Sequence, residues 1–147
     1  MRKIYLAVPS GLIALALLTA CTSGPDPKVT ADALSKANDT YLVCVSAQVD
    51  NENSDDPYTS QMGWEAEQSC LDDFASTLKG ISVEEKYKDD RNSVIATVTQ
   101  LSAAAGLISA NTEDVSNYND NFAAYQTTRT DLLGKISKLF LDYGISD

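Results

Sequence analysis

Two arginines, Arg91 and Arg129, have the residue type and spacing best suited to binding chemistry in this sequence. Each interrupts a helical stripe, with steps of three and four residues, whose other members are mostly apolar. A fold-back of the chain near Asn111 predicts that the two guanidinium groups lie level with each other, with Glu67 as the nearest candidate partner. Because an unpaired buried charge costs several kcal/mol, we expect a polar layer there. The layer is interpreted either as a site for an anionic ligand or a partner's carboxylate, or more simply as structural ion pairs or arginines extending to the rim.

A second candidate surface is acidic. Between Ala37 and Leu78 the sequence has nine carboxylates and no lysine or arginine. Such a surface attracts basic proteins through long-range electrostatics, and aromatic side chains beside it would anchor the contact. The simpler interpretation is a solvated face that keeps the protein soluble. The candidate docking residues are Asp50, Glu52, Asp55, Asp56, Tyr58 and Trp64.

Catalytic and metal chemistry has little support, because the chain contains no histidine. Serine–histidine and cysteine–histidine catalysis and histidine-ligated zinc are therefore excluded. The acidic loop of residues 50–56 does not fit an EF-hand, since Asp55 stands at the position of the turn glycine and Gln61 at that of the bidentate glutamate. We predict no enzyme activity, no metal and no cofactor.

The first 21 residues have the organisation of an export signal. Arg2 and Lys3 provide a positive start, and the apolar segment of residues 4–18 is shorter than the roughly 20 residues of a membrane-spanning helix. The tetrapeptide Leu18-Thr19-Ala20-Cys21 closely resembles the lipobox of bacterial lipoproteins. This resemblance implies cleavage before Cys21, attachment of a diacylglycerol and of fatty acids such as palmitate, and anchoring to the extracytoplasmic face of a cell membrane. An ordinary secretory signal with an incidental cysteine is the alternative.

Removal of the signal, residues 1–20, leaves a strongly acidic chain. The mature protein has 127 residues, 9 basic and 21 acidic, for a formal net charge of −12. This length predicts one domain: a lipidated cysteine and short linker at residues 21–28, followed by a helical domain at 29–147. Nucleic acid and anionic lipid headgroups are poor partners for so acidic a protein, whereas basic proteins are good ones.

Cys44 and Cys70 are the two cysteines that remain after lipidation. An even pair in an exported chain predicts a disulfide, which by closing a loop of about 27 residues stabilises the fold by about 3 kcal/mol. The two cysteines lie level with each other on the first two predicted helices, as the disulfide requires, only if the second helix begins near Gly63.

Apolar residues recur at helical spacing along the mature chain and predict four helices. The first two cover about residues 29–50 and 58–79. The third begins at a capping box of Ser82 and Glu85, and the last runs from a cap at Thr112 to a stop at Gly144. Short connections favour antiparallel neighbours, so the predicted fold is all-α, an up-down-up-down four-helix bundle with one disulfide.

Two classes of function remain open. The first is a membrane-anchored, non-enzymatic lipoprotein that binds another envelope or membrane protein, as an accessory subunit of a membrane complex. The second is a lipoprotein that binds a small ligand inside the bundle, around Arg91 and Arg129. A superinfection-exclusion lipoprotein is a further alternative, and the long apolar stripe of the last helix is also compatible with a homodimer.

Overall fold

The computed structural model describes residues 24–52 and 55–145, and the secondary structure of this part of the chain consists of helices joined by turns and loops, with no strand. The predicted signal and Cys21 lie outside the described residues. The elements are α1 (Pro27–Ser46), α2 (Val49–Glu52), α3 (Pro57–Gly80), a 3₁₀ helix (Glu85–Tyr87), α4 (Lys88–Ser109) and α5 (Val115–Asp142). The all-α class predicted from apolar spacing is therefore confirmed. No helix of the described ranges combines the length and apolar character needed to cross a membrane.

Aspartate caps begin three of the long helices. Asp26 and Asp56 each precede a proline at the first helical position, and their carboxylates accept hydrogen bonds from backbone N–H groups of α1 and α3. Asp114 begins α5 in the same way, with Oδ1 3.1 Å from the N–H of Ser116. A carboxylate here satisfies free N–H groups and also complements the positive end of the helix dipole.

Three predicted helix boundaries are wrong. The first helix ends at Ser46 rather than near residue 50, and the separate short helix α2 follows it. The capping box of Ser82 and Glu85 does not form, because a 3₁₀ helix with no side-chain cap begins at Glu85 and α4 begins only at Lys88. The last helix is capped by Asp114 instead of Thr112, since the carboxylate is the stronger acceptor at a helix N-terminus.

The long helix α1 packs against α3 in the opposite direction. Near the start of α1, the Thr30 hydroxyl donates to the carbonyl of Ser82, just after the end of α3, at 3.0 Å. Further along α1, the ring of Tyr41 stacks on Phe74 of α3 with centroids 4.7 Å apart. The start of α1 therefore lies at the end of α3, and later residues of α1 contact earlier residues of α3, so the two helices are antiparallel.

Helix α4 packs against both α3 and α5. The Ser102 hydroxyl donates to Asp72 of α3 at 2.6 Å. Towards α5, Lys135 donates to the Thr97 hydroxyl at 2.7 Å and Lys138 pairs with Asp90 at 2.5 Å. These contacts also run in opposite order along α4 and α5. All four long helices contribute residues to one apolar cluster. Its fully buried members include Leu34, Leu71, Val98, Leu101, Ile108, Leu132 and Leu139.

The predicted disulfide between Cys44 and Cys70 is present, with an S–S distance of 1.99 Å and a Cα–Cα distance of 5.8 Å. It joins the last turn of α1 to the middle of α3. The disulfide forms without a start of α3 near Gly63, because α1 ends two residues after Cys44, while α3 extends about 20 Å beyond Cys70 to its start at Pro57, close to the predicted residue 58. The short helix α2 packs on this extension.

Candidate functional site

A polar cavity of about 150 Å³ lies between the end of α1, α2, α3 and α5. It contains two of the three residues that the sequence predicts for a polar layer, Glu67 and Arg129. The residues that line this polar cavity are Val45, Val49, Glu52, Trp64, Glu67, Phe122, Tyr125, Gln126 and Arg129.

Gly63 brings α2 into position beside the cavity. A Cβ atom at Gly63 would lie 2.6 Å from the backbone nitrogen of Glu52 and 2.8 Å from the carbonyl carbon of Asn51. Only glycine permits this close approach of the α2 backbone to α3. The Ser60 hydroxyl, one turn earlier, donates to the carbonyl of Glu52 at 2.9 Å and holds the end of α2. Together these contacts set the Glu52 side chain against the cavity.

Three aromatic rings form the apolar part of the lining. Trp64 on α3 is 2% exposed and meets two rings of α5 edge-to-face. Its ring centroid lies 5.9 Å from that of Phe122 and 5.1 Å from that of Tyr125, at interplanar angles of 77° and 80°. Such edge-to-face contacts between buried rings fix the direction of the indole.

The buried carboxylate of Glu67 is the polar centre of the cavity. Its side chain is 2% exposed, and Oε1 accepts a hydrogen bond from the Tyr125 hydroxyl at 2.5 Å. The Arg129 guanidinium, on an exposed residue of α5, lines the same cavity and acts on Glu67 through its charge. No carboxylate of the described residues lies within ion-pair distance of Arg129. Arg129 is therefore a charged group at the rim, not a member of a buried ion pair.

The acidic groups of the cavity are shifted towards their neutral forms. Burial, reinforced by the neighbouring Glu67 carboxylate, raises the pKa of Glu52 to about 7, against the opposing charge of Arg129. Burial also raises the pKa of Glu67, although the Tyr125 hydroxyl and Arg129 act in the other direction. The pKa of the Tyr125 hydroxyl is raised by burial and by the Glu67 carboxylate, so this tyrosine stays a hydrogen-bond donor.

Two residues of the cavity lining each hold a buried side-chain atom without a hydrogen-bond partner: Glu52 Oε1 and Trp64 Nε1. One is an acceptor and the other is a donor. More than 90% of buried polar groups in folded proteins have a partner, so each exception needs an explanation. The described residues hold one further atom of this kind, Asp142 Oδ2 at the end of α5, outside the cavity. Two of the three atoms therefore belong to residues of one cavity lining, where a small polar molecule or water would supply the missing partners.

Arg91 does not belong to this site, and the predicted level pair of arginines is wrong. Its guanidinium donates to the carbonyl of Ile81 at 2.8 Å and to the side chain of Asn92. Ile81 is about 20 Å along α3 from Glu67. Asp90 pairs with Lys138, so the start of α4 that carries Arg91 lies level with a part of α5 about nine residues beyond Arg129, and the two arginines are separated.

The structure places some of the predicted docking residues on the surface and others inside the domain. Asp50, Asp55 and Asp56 are exposed, and Tyr58 is 68% exposed. Trp64 is buried in the core and is not part of this surface, because α3 turns its indole inward. Glu52 is half-buried, with one carboxylate oxygen enclosed beside the cavity.

Sequence reasoning missed the roles of Tyr125 and Glu52 in the cavity, and of Gly63 behind it. A usable signal existed for Tyr125, which lies four residues before Arg129 on the same helical stripe, and for Trp64, which shares the stripe of Glu67 and Leu71 and so faces the interior. The lining offers hydrogen-bond donors, acceptors, charges of both signs and aromatic faces, but no group of three or more metal-ligating side chains occurs in the described part of the chain. This donor set is suited to binding a small polar molecule. Comparison with protein-family models, with curated proteins and with solved structures finds no match for this chain.

Proposed function

We propose that the protein is a bacterial envelope lipoprotein that acts without catalysis and docks another envelope protein through an acidic end. In this proposal the signal of residues 1–20 is removed, Cys21 carries the lipid on the extracytoplasmic face, and residues 21–28 link it to the helical domain. The acidic end is defined by the exposed carboxylates around the start of α3 and the α4–α5 loop: Asp50, Asp55, Asp56, Glu65, Glu113, Asp114 and Asp120.

The observation that carries the proposal is the segregation of charge along the domain. Residues 47–67 and 103–127 supply nine carboxylates and no lysine or arginine. The rest of the mature chain holds 12 acidic and 9 basic residues, so these two segments account for −9 of the formal net charge of −12, and the seven exposed carboxylates of the acidic end for −7. Clustered charge of one sign speeds and orients the approach of an oppositely charged partner, so it favours a basic docking surface.

Two clefts in the acidic end supply recognition features besides charge. One, of about 400 Å³, lies between Tyr58 and the loop that carries Glu113 and Asp114. The other, of about 280 Å³, is lined by Asp55 and Tyr118 among others. A lysine or arginine side chain of a partner would fit such a cleft, with its charge against the carboxylates and its stem against the aromatic ring.

The position of the chain start favours docking away from the bilayer. The first residues of α1 lie against the end of α3, through the contact of Thr30 with Ser82. The acidic end lies at the start of α3, and a helix of 24 residues is about 36 Å long. A lipid at Cys21 would therefore place the acidic end at the far side of the domain, where a membrane protein's extracytoplasmic region is accessible.

The same proposal includes a closed up-down-up-down bundle of the four long helices. Contacts between α1 and α5 support closure, and so does the apolar cluster that all four long helices share. A closed bundle gives a rigid platform that holds the acidic loops at one end.

Site-specific photo-crosslinking in native membranes tests the docking proposal. A photoreactive phenylalanine analogue replaces Tyr58 at the acidic end or, as the matched control, Leu133 on α5, which is also exposed. We expect one envelope protein to crosslink at Tyr58 and none at Leu133. The crosslink should disappear when Asp55, Glu113 and Asp120 are changed to the corresponding amides. Equal crosslinks at both positions, or crosslinks that survive neutralisation, would contradict the proposal.

A further inference from the structure

We propose that the polar cavity binds a small zwitterion with one ammonium and one carboxylate group, a free amino acid of about the size of alanine. This inference goes beyond the docking proposal, because the cavity lies between α1, α2, α3 and α5, and its charged residues, Glu52, Glu67 and Arg129, are not among those that define the acidic end. The observation that carries it is that two residues of this lining each hold a buried polar atom without a partner, Glu52 Oε1 and Trp64 Nε1.

The size of the cavity limits the ligand. Its volume of about 150 Å³ corresponds to about five water molecules at roughly 30 Å³ each. This is enough room for a molecule as small as alanine, whereas a sugar or a nucleotide would extend out of the cavity into solvent. The aromatic faces of Trp64, Phe122 and Tyr125 provide an apolar wall for a methyl group.

The lining provides partners for a positive group. Glu52 Oε1 is a buried acceptor without a donor, and the Glu67 carboxylate lies on the same cavity. An ammonium group donates to such oxygens and neutralises them in a site of low dielectric. The ring faces beside them add a cation–π attraction.

The lining also provides partners for a negative group. Trp64 Nε1 is a buried donor without an acceptor, and the Arg129 guanidinium lies at the rim with no carboxylate of the described residues within ion-pair distance. A ligand carboxylate would accept from both. A simple amine would leave the indole N–H and the guanidinium without a partner, and a simple carboxylic acid would leave Glu52 Oε1 without one.

Trp64 is the only tryptophan of the chain, so its fluorescence reports directly on the cavity. The experiment titrates the full-length protein, purified in detergent, with L-alanine, ethylamine and propionate. The last two probes lack the carboxylate and the ammonium group of alanine, respectively. We expect a saturable fluorescence change with L-alanine, and affinity weaker by roughly tenfold or more for each of the other probes.

Charge-neutral variants complete the test. Glu52→Gln and Arg129→Gln should each weaken L-alanine binding by roughly tenfold or more. Asp120→Asn and Lys79→Gln remove the same charges outside the cavity and should leave binding unchanged. Arg129 is exposed, so Arg129→Gln carries the test even if Glu52→Gln fails to fold. The proposal is overturned by the absence of saturable L-alanine binding, by equal binding of ethylamine or propionate, or by equal loss in the control variants.

Discussion

The carboxylate of Glu67 on α3 accepts a hydrogen bond from the hydroxyl of Tyr125 on α5, at 2.5 Å, in the interior of the domain. Both side chains are buried, and 58 residues of sequence separate them. This hydrogen bond holds α3 and α5 together, and its loss would leave the buried Glu67 carboxylate without the Tyr125 donor. A change in the lining of the cavity is therefore expected to change the stability of the domain.

Removing the Tyr125 hydroxyl tests this contact. We expect Tyr125→Phe to lower the free energy of unfolding by about 1–3 kcal/mol, because Glu67 then loses its donor in a buried position. Chemical denaturation measures this change. Tyr118→Phe, on the same helix but half-buried and without a bond to Glu67, is the control and should change stability little.

The raised pKa of Glu52 predicts a dependence of stability on pH. Because the pKa of about 7 in the folded protein exceeds the ordinary value of 4.5, the folded state holds the proton more tightly. The stabilisation is complete below about pH 4.5 and is lost as the pH rises through about 7. The half-exposed position reduces the effect to about 1 kcal/mol.

Urea denaturation at pH 5 and pH 8 measures this loss in the native protein and in Glu52→Gln. We expect a smaller decrease in the variant, with the remaining part due to Glu67, whose pKa is raised in the same direction. The charge of Arg129 lowers the pKa of both carboxyl groups and so opposes the effect of burial. An identical decrease in both proteins would show that Glu52 does not titrate as its burial requires.

Gly63→Ala should displace α2. The added methyl group would overlap backbone atoms of α2 at 2.6 and 2.8 Å, and backbone atoms cannot move aside as a flexible side chain does. We expect a loss of about 1–3 kcal/mol in stability and a shift in Trp64 emission. Gly134→Ala is the control, because that glycine lies inside α5 with no atom within 4 Å of the added carbon, and it should stabilise by about 1 kcal/mol.

Loss of the disulfide should lower stability without changing the helical fold. The bond joins residues 26 apart, and replacing both Cys44 and Cys70 by serine should cost about 3 kcal/mol. Thermal unfolding followed by circular dichroism measures the loss. Reduction of the native protein should give the same lowered transition, and an unchanged transition would mean that the bond contributes nothing to stability.

The lipid anchor gives a separate prediction. Cells fed an alkyne-tagged palmitate should label the native protein and not Cys21→Ala, and the variant should leave the membrane fraction. One acyl chain holds a protein only marginally, whereas two or more hold it stably. Labelling that persists in Cys21→Ala would contradict the lipoprotein proposal, but it would not bear on the cavity proposal.

The spacing of apolar residues predicted the four long helices but not the break between α1 and α2. Steps of three and four residues located the four long helices, and the even pair of cysteines predicted the disulfide. The break between α1 and α2 was not predictable this way, because Val45 and Val49 continue the stripe at helical spacing across it. The break follows from packing on α3, which is a property of the folded chain.

The cavity was predicted in part. A charged residue in an apolar stripe identified Arg129, and Glu67 stood out as the acid on the α3 stripe. Glu52 was assigned to the acidic surface because its neighbours in sequence are acidic. In the structure, however, Gly63 has no Cβ atom to keep the α2 backbone away from α3, and this close approach places Glu52 beside the cavity. A contact between residues 11 positions apart on different helices leaves no trace in local pattern.

The segregation of charge also makes the domain an electric dipole along its long axis. Near a negatively charged surface such as an anionic bilayer, the resulting torque turns the acidic end outward before any specific contact forms, over distances of about one Debye length, or roughly 8 Å. Two copies side by side in the same direction would bring their acidic ends together and repel. The acidic end thus disfavours parallel lateral association of this domain with itself and leaves that end open to a partner of opposite charge.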